Sequence, residues 1–440
     1  MKKFSTATLR QHQHANQISQ ILAASLEAVD PGRALHRFVN HENNRLHIAD
    51  KFYELDSLDR ITVLGLGKAT ESMAGALLDI LPPHTSRGLL IPKQAFPSPA
   101  TGFEVCAGGH PVPDQNSLIA GNKARELASN LTERDLLICL ISGGGSALMA
   151  SPYPDVGLEN LQALTQALLS CGARVDEINT LRRHLDRVKG GRIAEAAVPA
   201  HVAGLILSNV VGNPLEAIAS GPTAPDPSTK ANALNILEKY GLTKKFQETI
   251  VRFLEHSTET PKPDDVIFSR VQNVLIGSNQ LAAQAGLEQA QALGFHTKFL
   301  GDTWQGEARD VAAELCLQLK ENLPRPFCLI AGGETTVTLR GHGRGGRNQE
   351  LALAAAIELN ELESLMLVTL ATDGEDGPTD AAGAVVTGET YRRAIDLGLS
   401  PESFLADNDS YFFFESLGDL IKIDPTGTNV NDLTFLFGFS

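Results

Sequence analysis

Short apolar runs, each followed at once by a loop rich in glycine or polar residues, place the strongest constraint on how this chain can fold. The runs Ile61–Leu64, Leu136–Ile141 and Val202–Leu207 have the length of buried strands, and residues 69–78 read as a helix. Strands that are apolar throughout and alternate with helices are typical of parallel sheets covered on both faces. The sequence therefore predicts an α/β protein built on a parallel sheet.

The length of the chain favours two domains, because one hydrophobic core rarely extends over more than about 250–300 residues. A polar, proline-containing segment at residues 256–263 marks a boundary, after which the strand and helix rhythm begins again. Further strands are expected at 273–276, 327–330 and 365–370, and further helices at 17–29, about 280–293 and 351–359. We predict an N-terminal domain of residues 1–260 and a smaller α/β domain of residues 261–440.

The net charge of −15 argues against a nucleic-acid-binding protein, which needs a broad basic surface, but permits a local basic pocket for a small anion. Five cysteines without a CxxC pair favour free thiols and a reducing compartment. The basic start of the chain lacks the apolar segment of a signal peptide, and no run approaches the ~18 apolar residues of a membrane span. These features predict a cytoplasmic protein.

The loop Gly65–Thr70 follows the first predicted strand and ends in a helix. It departs from the dinucleotide motif GxGxxG, because Thr70 stands at the third glycine position. It also departs from the Walker A motif, because Thr62 and Ala69 replace the required glycine and hydroxyl residue. Lys68 remains at a helix start, where backbone N–H groups and the helix dipole favour an anion. The alternative is a solvated lysine beside a tight turn.

A second loop, Ser142–Ser146, places three consecutive glycines between two serines directly after a buried strand. Successive N–H groups in such a segment can converge on one cluster of oxygens, and the hydroxyls can assist. A flexible turn is the alternative. The entropic cost of three glycines at this position favours a phosphate or nucleotide site.

The segment Leu181–Arg192 contains five cations and one acid, Asp186, which is unusual in a protein of negative net charge. Its cations are Arg182, Arg183, Arg187, Lys189 and Arg192. A solvated helix face is the default interpretation of such a run. The sequence Lys189–Arg192 resembles an anion-binding turn, so we expect one or two of these cations to face a ligand.

A fourth loop, Gly332–Thr336, follows the strand predicted at 327–330 and leads into a segment, residues 340–347, that holds three arginines and no acid. Arg347 stands at the start of a predicted helix, where a guanidinium can bind phosphate oxygens through two hydrogen bonds. The alternative is a hairpin tip with solvated arginines.

The acidic segment 371–380 follows the strand at 365–370 and carries four carboxylates in eight residues. Carboxylates at the end of a strand suggest Mg²⁺ coordination or a general base. Asp373 is nearest to the strand and is expected to point inward. A turn with solvated acids is the alternative.

Taken together, the cations, the glycine-rich loops and the acidic loop favour phosphoryl transfer over hydride transfer. Phosphoryl transfer asks a protein mainly to position its substrates and to neutralise charge. A lone histidine in the loop before residue 115, His110, is more typical of a structural role.

The loops as a set resemble the glycerate kinase family whose C-terminal part is the MOFRL domain. Matching segments run in order from about residue 60 to 433: GLGKAT, AGGHPVPD, ISGGGSALM, EINTLRRHLDRVKGGR, ASGPTAPDP, GGETTVTLRGHGRGGRNQELAL, ATDGEDGPTDAAGAV and PTGTNVNDL. One departure stands in the polar loop 208–223, where the family pattern has acidic residues and this chain has Asn209 and Asn213.

The resemblance implies a Rossmann-like N-terminal domain, a smaller α/β C-terminal domain, and an active site in the cleft between them. It implies phosphorylation of D-glycerate by ATP with Mg²⁺, generally at the 2-hydroxyl. Lys68 would bind the substrate carboxylate or the transferring phosphoryl group, Arg347 would neutralise transition-state charge, and Asp373 would accept the hydroxyl proton or bind metal. Further expected binding residues are Ser142, Gly143, Gly144, Gly145, Ser146, Lys189, Glu334, Thr335 and Asn348 for substrate or nucleotide, and Asp373 with Asp376 for metal.

Two other functions stay open from the sequence. Members of the same family carry the label hydroxypyruvate reductase, which would make the chain an NAD(P)H-dependent oxidoreductase. A protein that binds a phosphorylated metabolite without turnover is the other alternative. The sequence also leaves open the position of phosphorylation, the preferred enantiomer and the oligomeric state.

Overall fold

The structure, a computed structural model, describes residues 4–82, 86–320 and 323–440. The chain divides into two compact units. The central unit is Pro31–Ile276, and the terminal unit combines Met1–Asp30 with Gly277–Ser440. Two helices at the start of the chain, α1 (Ala7–Gln11) and α2 (Ala15–Glu27), thus belong to the terminal unit.

The central unit contains nine α-helices and nine strands within the residues that the structure describes. They are α3 (Pro31–Phe38), β1 (Val39–Glu42), β2 (Arg45–Ile48), β3 (Lys51–Glu54), β4 (Arg60–Leu66), α4 (Thr70–Ile80), β5 (Ser86–Ile91), β6 (Phe103–Val105), α5 (Gln115–Ser129), β7 (Asp135–Ile141), α6 (Gly145–Leu148), α7 (Gly157–Ser170), α8 (Val175–Leu185), α9 (Arg192–Ala197), β8 (His201–Leu207), α10 (Lys230–Lys239), α11 (Arg252–His256) and β9 (Val271–Gly277).

Six strands of the central unit form one sheet in the order β6-β5-β4-β7-β8-β9, and β1, β2 and β3 form a separate antiparallel sheet. The pairs β5–β6, β4–β5, β4–β7 and β7–β8 are parallel. Numbered from β4, this order is 3-2-1-4-5-6, the order of the Rossmann fold. The predicted Rossmann-like parallel sheet is confirmed.

Both faces of this sheet are buried, as the unbroken apolar runs predict. Along β7, Leu136, Ile138 and Leu140 face a core that includes Met73 and Leu77 of α4. The alternate residues Leu137, Cys139 and Ile141 face a second core that includes Ala120 and Ala124 of α5. Successive side chains of a strand point to opposite faces, so a strand between two helical layers has no polar face.

The terminal unit continues from β9 with a second set of elements. They are α12 (Asn279–Ala292), β10 (His296–Phe299), β11 (Trp304–Glu307), α13 (Ala308–Leu319), β12 (Phe327–Thr336), α14 (Arg347–Glu358), β13 (Leu365–Ala371), β14 (Gly383–Thr387), α15 (Thr390–Asp396), α16 (Pro401–Ala406), α17 (Ser410–Leu417), β15 (Leu420–Ile421) and β16 (Asp432–Gly438).

Its sheet is mixed and runs β10-β12-β16-β13-β14-β15, with β11 paired to β12. The strand β16 lies between β12 and β13 and is antiparallel to both. The carboxyl ends of β12 and β13 therefore meet the beginning of β16 at one edge of the sheet. The loops predicted to carry chemistry in this unit leave from that edge.

The two units divide the chain differently from the predicted boundary at residue 260. The helix α2 buries Ile18, Ile21 and Leu22 and packs against α12, so the first thirty residues join the terminal unit. At the other end, β9 adds the sixth strand to the sheet of the central unit. The polar segment 256–263 is thus a connection inside the central unit, and not a linker between domains.

No helix within the described residues has the length and apolar character needed to cross a membrane. The five cysteines, which include the buried residues Cys139, Cys316 and Cys328, are free thiols. Burial raises the pKa of the Cys139 and Cys316 thiols to about 12, which keeps both in the neutral form.

Candidate active site

Two predicted loops of the central unit meet at the point where the strand order of its sheet reverses, between β4 and β7. The backbone N–H of Lys68 donates to the carbonyl of Gly143 (3.0 Å), and the N–H of Ala69 donates to the hydroxyl of Ser142 (3.1 Å). Ser142 N–H in turn donates to the Leu66 carbonyl (3.0 Å). Open α/β sheets bind their ligands at such a reversal point, outside the carboxyl ends of the strands.

Glycine is required where these loops touch. Gly67 has φ +113°, and a Cβ at this position would lie 2.3 Å from the Ser142 hydroxyl oxygen. Gly144 has φ +88° and precedes α6, and a Cβ there would lie 3.3 Å from the His110 ring and 3.6 Å from Cγ of Lys68. The absence of a side chain at Gly67 therefore lets the two loop backbones pack closely, and its absence at Gly144 leaves room for the side chains of His110 and Lys68.

The side chains around this loop, which we call the cationic pocket (Lys68, His110, Ser142–Ser146, Arg182), are cationic or neutral. Burial lowers the pKa of His110, and the positive charges of Lys68, Lys93 and Arg182 lower it further. The Arg182 guanidinium donates to the Ser146 hydroxyl (3.5 Å). The pocket therefore presents positive charge, backbone N–H groups and hydroxyls to an anion.

A segment of three successive residues with positive φ contacts the cationic pocket through Ser146. Ala219, Ser220 and Gly221 have φ of +50°, +60° and +59° in succession. The Ser220 hydroxyl lies 2.7 Å from that of Ser146 and donates to the side-chain amide oxygen Oδ1 of Asn179 (3.3 Å). Non-glycine residues in the left-handed region each cost on the order of 1 kcal/mol or more and are concentrated at functional sites. Here the strained turn brings the Ser220 hydroxyl to Ser146.

Lys189 was expected to contact a ligand, and its burial favours a structural role instead. Its side chain is 1% exposed, and its ammonium group donates to the Met149 carbonyl (2.5 Å) and lies 3.6 Å from the Asp186 carboxylate. Burial lowers the pKa of Lys189, while Asp186 opposes the change. Met149 is the C-cap residue that directly follows α6, so Lys189 is hydrogen-bonded to the end of the helix that begins in the loop Ser142–Ser146.

In the terminal unit, the edge where β12, β16 and β13 meet brings several predicted residues together. Asp432 begins β16 and is paired in register with Gly333 on one side and Ala371 on the other. Glu334 directly follows Gly333 in β12, and Asp373 lies two residues after Ala371, in the loop that follows β13. The register therefore places carboxylates from three segments along one edge.

Arg347, the first residue of α14, is held by two of these carboxylates. Its Nε donates to Asp432 Oδ2 (2.5 Å), and its Nη1 donates to Glu334 Oε1 (2.6 Å). Burial alone would lower the pKa of Arg347, but the charges of Asp432 and Glu334 outweigh it and raise the pKa above its usual value. The guanidinium is fixed in place and permanently charged.

Asp432 itself is largely enclosed, with 11% of its side chain exposed. Burial raises the pKa of this carboxyl to about 7; Arg347 opposes the rise and the Asp376 carboxylate adds to it. A carboxyl whose pKa is raised by burial beside an arginine is common at catalytic sites.

Asp376 was expected to bind metal, but the structure shows its carboxylate capping α14. The backbone N–H groups of Asn348 (3.1 Å) and Gln349 (2.8 Å) donate to its two oxygens, and the Asn348 amide adds a third hydrogen bond (3.3 Å). Burial raises the pKa of Asp376, and these hydrogen bonds oppose the rise. The first turn of α14 and Arg347 are thereby tied to the acidic loop.

Asp373 is the carboxylate of the acidic loop with partial exposure. Its Oδ2 accepts from the Asn429 amide (2.8 Å) and its Oδ1 from the backbone N–H of Glu375 (3.2 Å). Within the described residues, no group of three or more histidine, cysteine, aspartate or glutamate side chains is arranged to hold a metal ion. A metal at this edge would depend on ligands from a substrate as well as from the protein.

These residues line a cleft of about 660 Å³ in the terminal unit, which we call the acidic cleft. Its lining includes Thr335, Arg347, Glu350, Asp373, Glu375, Asp376 and Asp432. The terminal unit therefore gathers Glu334, Thr335, Arg347, Asn348, Asp373 and Asp376 at one edge, and the central unit gathers Lys68 with Ser142–Ser146.

Two known domains account for most of the chain. The domain of unknown function DUF4147 matches residues 17–255, and the MOFRL family matches residues 327–432. The D-glycerate 2-kinase of Thermotoga maritima is 41% identical over 421 residues, which are 94% of this chain and 96% of that protein.

The chain belongs to the glycerate kinase family with a MOFRL domain.

Further comparisons agree with this assignment. The glycerate 2-kinase of Pyrococcus horikoshii is 38% identical over 426 residues, 94% of this chain and 95% of that protein. A crystal structure of a glycerate kinase from Thermotoga maritima superimposes with a TM-score of 0.86 and 39% identity, covering 96% of this chain and 99% of that chain. The resemblance noted in the sequence is thus confirmed at the level of family and fold.

Several site residues of this glycerate kinase family member were missed by sequence reasoning. Asp432 belongs to a matching segment but was given no role, because the strand β16 that positions it was not predicted. The mostly apolar segment Leu433–Phe437 directly after it was the available signal for a buried strand. Ser220 and Asn179 join the cationic pocket only through tertiary contacts, and no local sequence feature indicates them.

Proposed function

We propose that this protein transfers the γ-phosphoryl group of ATP to D-glycerate, with 2-phosphoglycerate and ADP as products. The observation that carries the proposal is the cationic pocket at the reversal point of the sheet, where the Lys68 and Gly143 backbones are hydrogen-bonded. A pocket of cations, glycine N–H groups and hydroxyls suits phosphate and carboxylate oxygens. Membership of the glycerate kinase family supports the choice of substrate.

In this reaction the hydroxyl oxygen of glycerate bonds to the γ-phosphorus as the bond to the bridging oxygen of ADP breaks. The charge that develops on the transferring group needs fixed cations. Lys68 is proposed to bind the transferring phosphoryl group or the substrate carboxylate, and Arg347 to neutralise the transition state. The loop Ser142–Ser146 is proposed to hold nucleotide phosphates.

Asp373 is proposed to accept the hydroxyl proton or to bind Mg²⁺. Magnesium is commonly bound by one or two carboxylates together with substrate phosphates, and the partly exposed Asp373 in the acidic cleft fits that requirement. When bound, the ion would neutralise charge on the phosphate oxygens. Because the Asp376 carboxylate caps α14, we propose that it positions Arg347 and does not bind the metal ion. Asn348 is proposed to act through its hydrogen bonds to the same carboxylate.

The partners proposed are therefore glycerate and ATP. The free cysteines and the negative net charge support a reducing, cytoplasmic setting without nucleic acid.

A coupled assay tests this function. Purified protein with D-glycerate, ATP and Mg²⁺ is expected to release ADP, and omission of glycerate or addition of a chelator is expected to abolish the release. A parallel reaction with NADH and hydroxypyruvate is expected to show no oxidation of NADH. Turnover in the second reaction alone would overturn the proposal in favour of a reductase.

A further inference from the structure

Arg182 differs from the other cations of its segment in having no acid beside it. Arg183, the next residue, pairs with Asp226 at 2.8 Å, and Lys189 lies 3.6 Å from Asp186. No carboxylate of the described residues lies within ion-pair distance of the Arg182 guanidinium, whose hydrogen-bond acceptor is the Ser146 hydroxyl at 3.5 Å. Several of its N–H donors are therefore left for a ligand.

The position of Arg182 makes an anion favourable. Arg182 is partly buried. Burial lowers the pKa of its guanidinium, and Asp186 opposes the shift from a longer distance. A partly buried cation without a close counter-ion is stabilised when an anion completes the site. The neighbouring positive charges of Lys68 and Lys93, which act on the same His110 ring, add to this demand.

The groups around Arg182 match a carboxylate. Asn179 precedes Arg182 by one helical turn on α8, and its side-chain oxygen Oδ1 accepts from the Ser220 hydroxyl. That hydroxyl lies 2.7 Å from the Ser146 hydroxyl, so Asn179, Ser220 and Ser146 form a chain that ends at the guanidinium. Since Ser220 donates to Asn179, Ser146 donates to Ser220 and accepts from Arg182, which helps to fix the guanidinium. The remaining N–H donors of Arg182 can bind a carboxylate through two parallel hydrogen bonds.

We propose that Arg182, whose guanidinium is held by the Ser146 hydroxyl, binds the carboxylate of the acceptor substrate and thereby makes the enzyme selective for hydroxy acids over neutral polyols. The inference rests on the proposed kinase function and adds the residue that recognises the carboxylate of its acceptor. Lys68 and the glycine N–H groups are then available for the phosphoryl group.

The test compares D-glycerate with its neutral amide as acceptors for wild-type protein, Arg182→Met and Arg182→Lys. We expect Arg182→Met to raise KM for D-glycerate about ten- to hundredfold, the range for losing a charge-assisted pair, with little change in KM for ATP. The ratio of kcat/KM for D-glycerate to that for the amide should fall by about the same factor. Arg182→Lys keeps the charge without the two-pronged geometry and should give an intermediate ratio.

Arg174→Met is the matched control, because Arg174 lies at the start of the same helix with 75% of its side chain exposed. It should leave kcat/KM for both acceptors unchanged.

An equal loss of kcat/KM on both acceptors in the Arg182 variants would reveal a merely structural role and overturn the inference. If Arg182→Met does not fold, Arg182→Lys decides by the same ratio. A wild-type protein that cannot phosphorylate D-glycerate would overturn the proposed function as well, whereas an active wild type with an unchanged ratio in the variants would overturn this inference alone.

Discussion

The cationic pocket of the central unit and the acidic cleft of the terminal unit differ in whether their cations are paired with carboxylates. In the pocket, Lys68 is exposed and Arg182 has no described carboxylate within ion-pair distance. In the cleft, Arg347 is held by Asp432 and Glu334. Cations without counter-ions are suited to bind oxygen anions directly, whereas an arginine fixed among carboxylates is preorganised within a negative surface. We propose separate tasks for the two regions in the proposed reaction.

The largest effect is expected from Lys68→Ala, which removes the exposed cation from the pocket. We expect kcat to fall at least about a hundredfold, the scale for losing a preorganised charge contact. Lys123→Ala removes a surface lysine that pairs with Glu104 and serves as the control. Near-wild-type turnover by folded Lys68→Ala protein would remove Lys68 from the site.

Arg347→Ala tests the fixed arginine of the cleft in the same assay. We again expect a loss in kcat of at least about a hundredfold, because the variant lacks the permanently charged group proposed to neutralise the transition state. Arg347→Lys should recover little, since one ammonium cannot reproduce the hydrogen bonds to both Asp432 and Glu334. Full activity of the lysine variant would show that geometry at this position does not matter.

Asp373→Asn distinguishes chemistry from nucleotide binding. If Asp373 accepts the proton, activity should fall by about a hundredfold or more, the usual range for a general base, while the affinity for ATP measured by calorimetry stays close to wild type. Retained activity would reduce the acidic loop to a structural turn.

Asp376→Ala should affect stability more than chemistry, because this carboxylate caps α14. We expect the free energy of unfolding, measured by urea denaturation, to fall by about 1–2 kcal/mol. Glu375→Ala, an exposed neighbour in the same loop, is the control and should change stability little. A stable Asp376→Ala protein would argue that the cap is dispensable.

The smallest effect concerns the pH dependence of stability. The folded-state pKa of Asp432, about 7, lies above the ordinary aspartate value of about 4, so the folded protein holds this proton more tightly than the unfolded chain. The resulting stability is present at low pH and is lost as the pH rises from about 4 through 7. Asp432→Asn should flatten the stability profile in that window, whereas Glu363→Gln on the surface should not. An unchanged slope would place the pKa of Asp432 near its ordinary value.

Local signals account for what could be predicted from the sequence, and tertiary contacts for what could not. Strands β4, β7 and β8 were predictable because unbroken apolar runs require burial on both faces. The observed division into Pro31–Ile276 and a terminal unit that includes α2 was not predictable, since the packing of α2 against α12 joins residues far apart in the chain.

The same distinction holds within the site. Glycine-rich loops at strand ends identified Lys68 and Ser142–Ser146 because glycine content and position are local properties. The burial of Lys189 against Met149 depends on the path of another segment, and a lysine in a basic run carries no sign of it.

Phosphorus NMR of a reaction with D-glycerate and Mg-ATP tests the proposed phosphoryl transfer most directly, because it reports both the reaction and its position. We predict that ATP signals convert to ADP while one new phosphomonoester signal appears in equal amount, coupled to the proton on carbon 2 of the product. A spectrum in which ATP persists with no phosphomonoester, from folded protein, would contradict the kinase assignment.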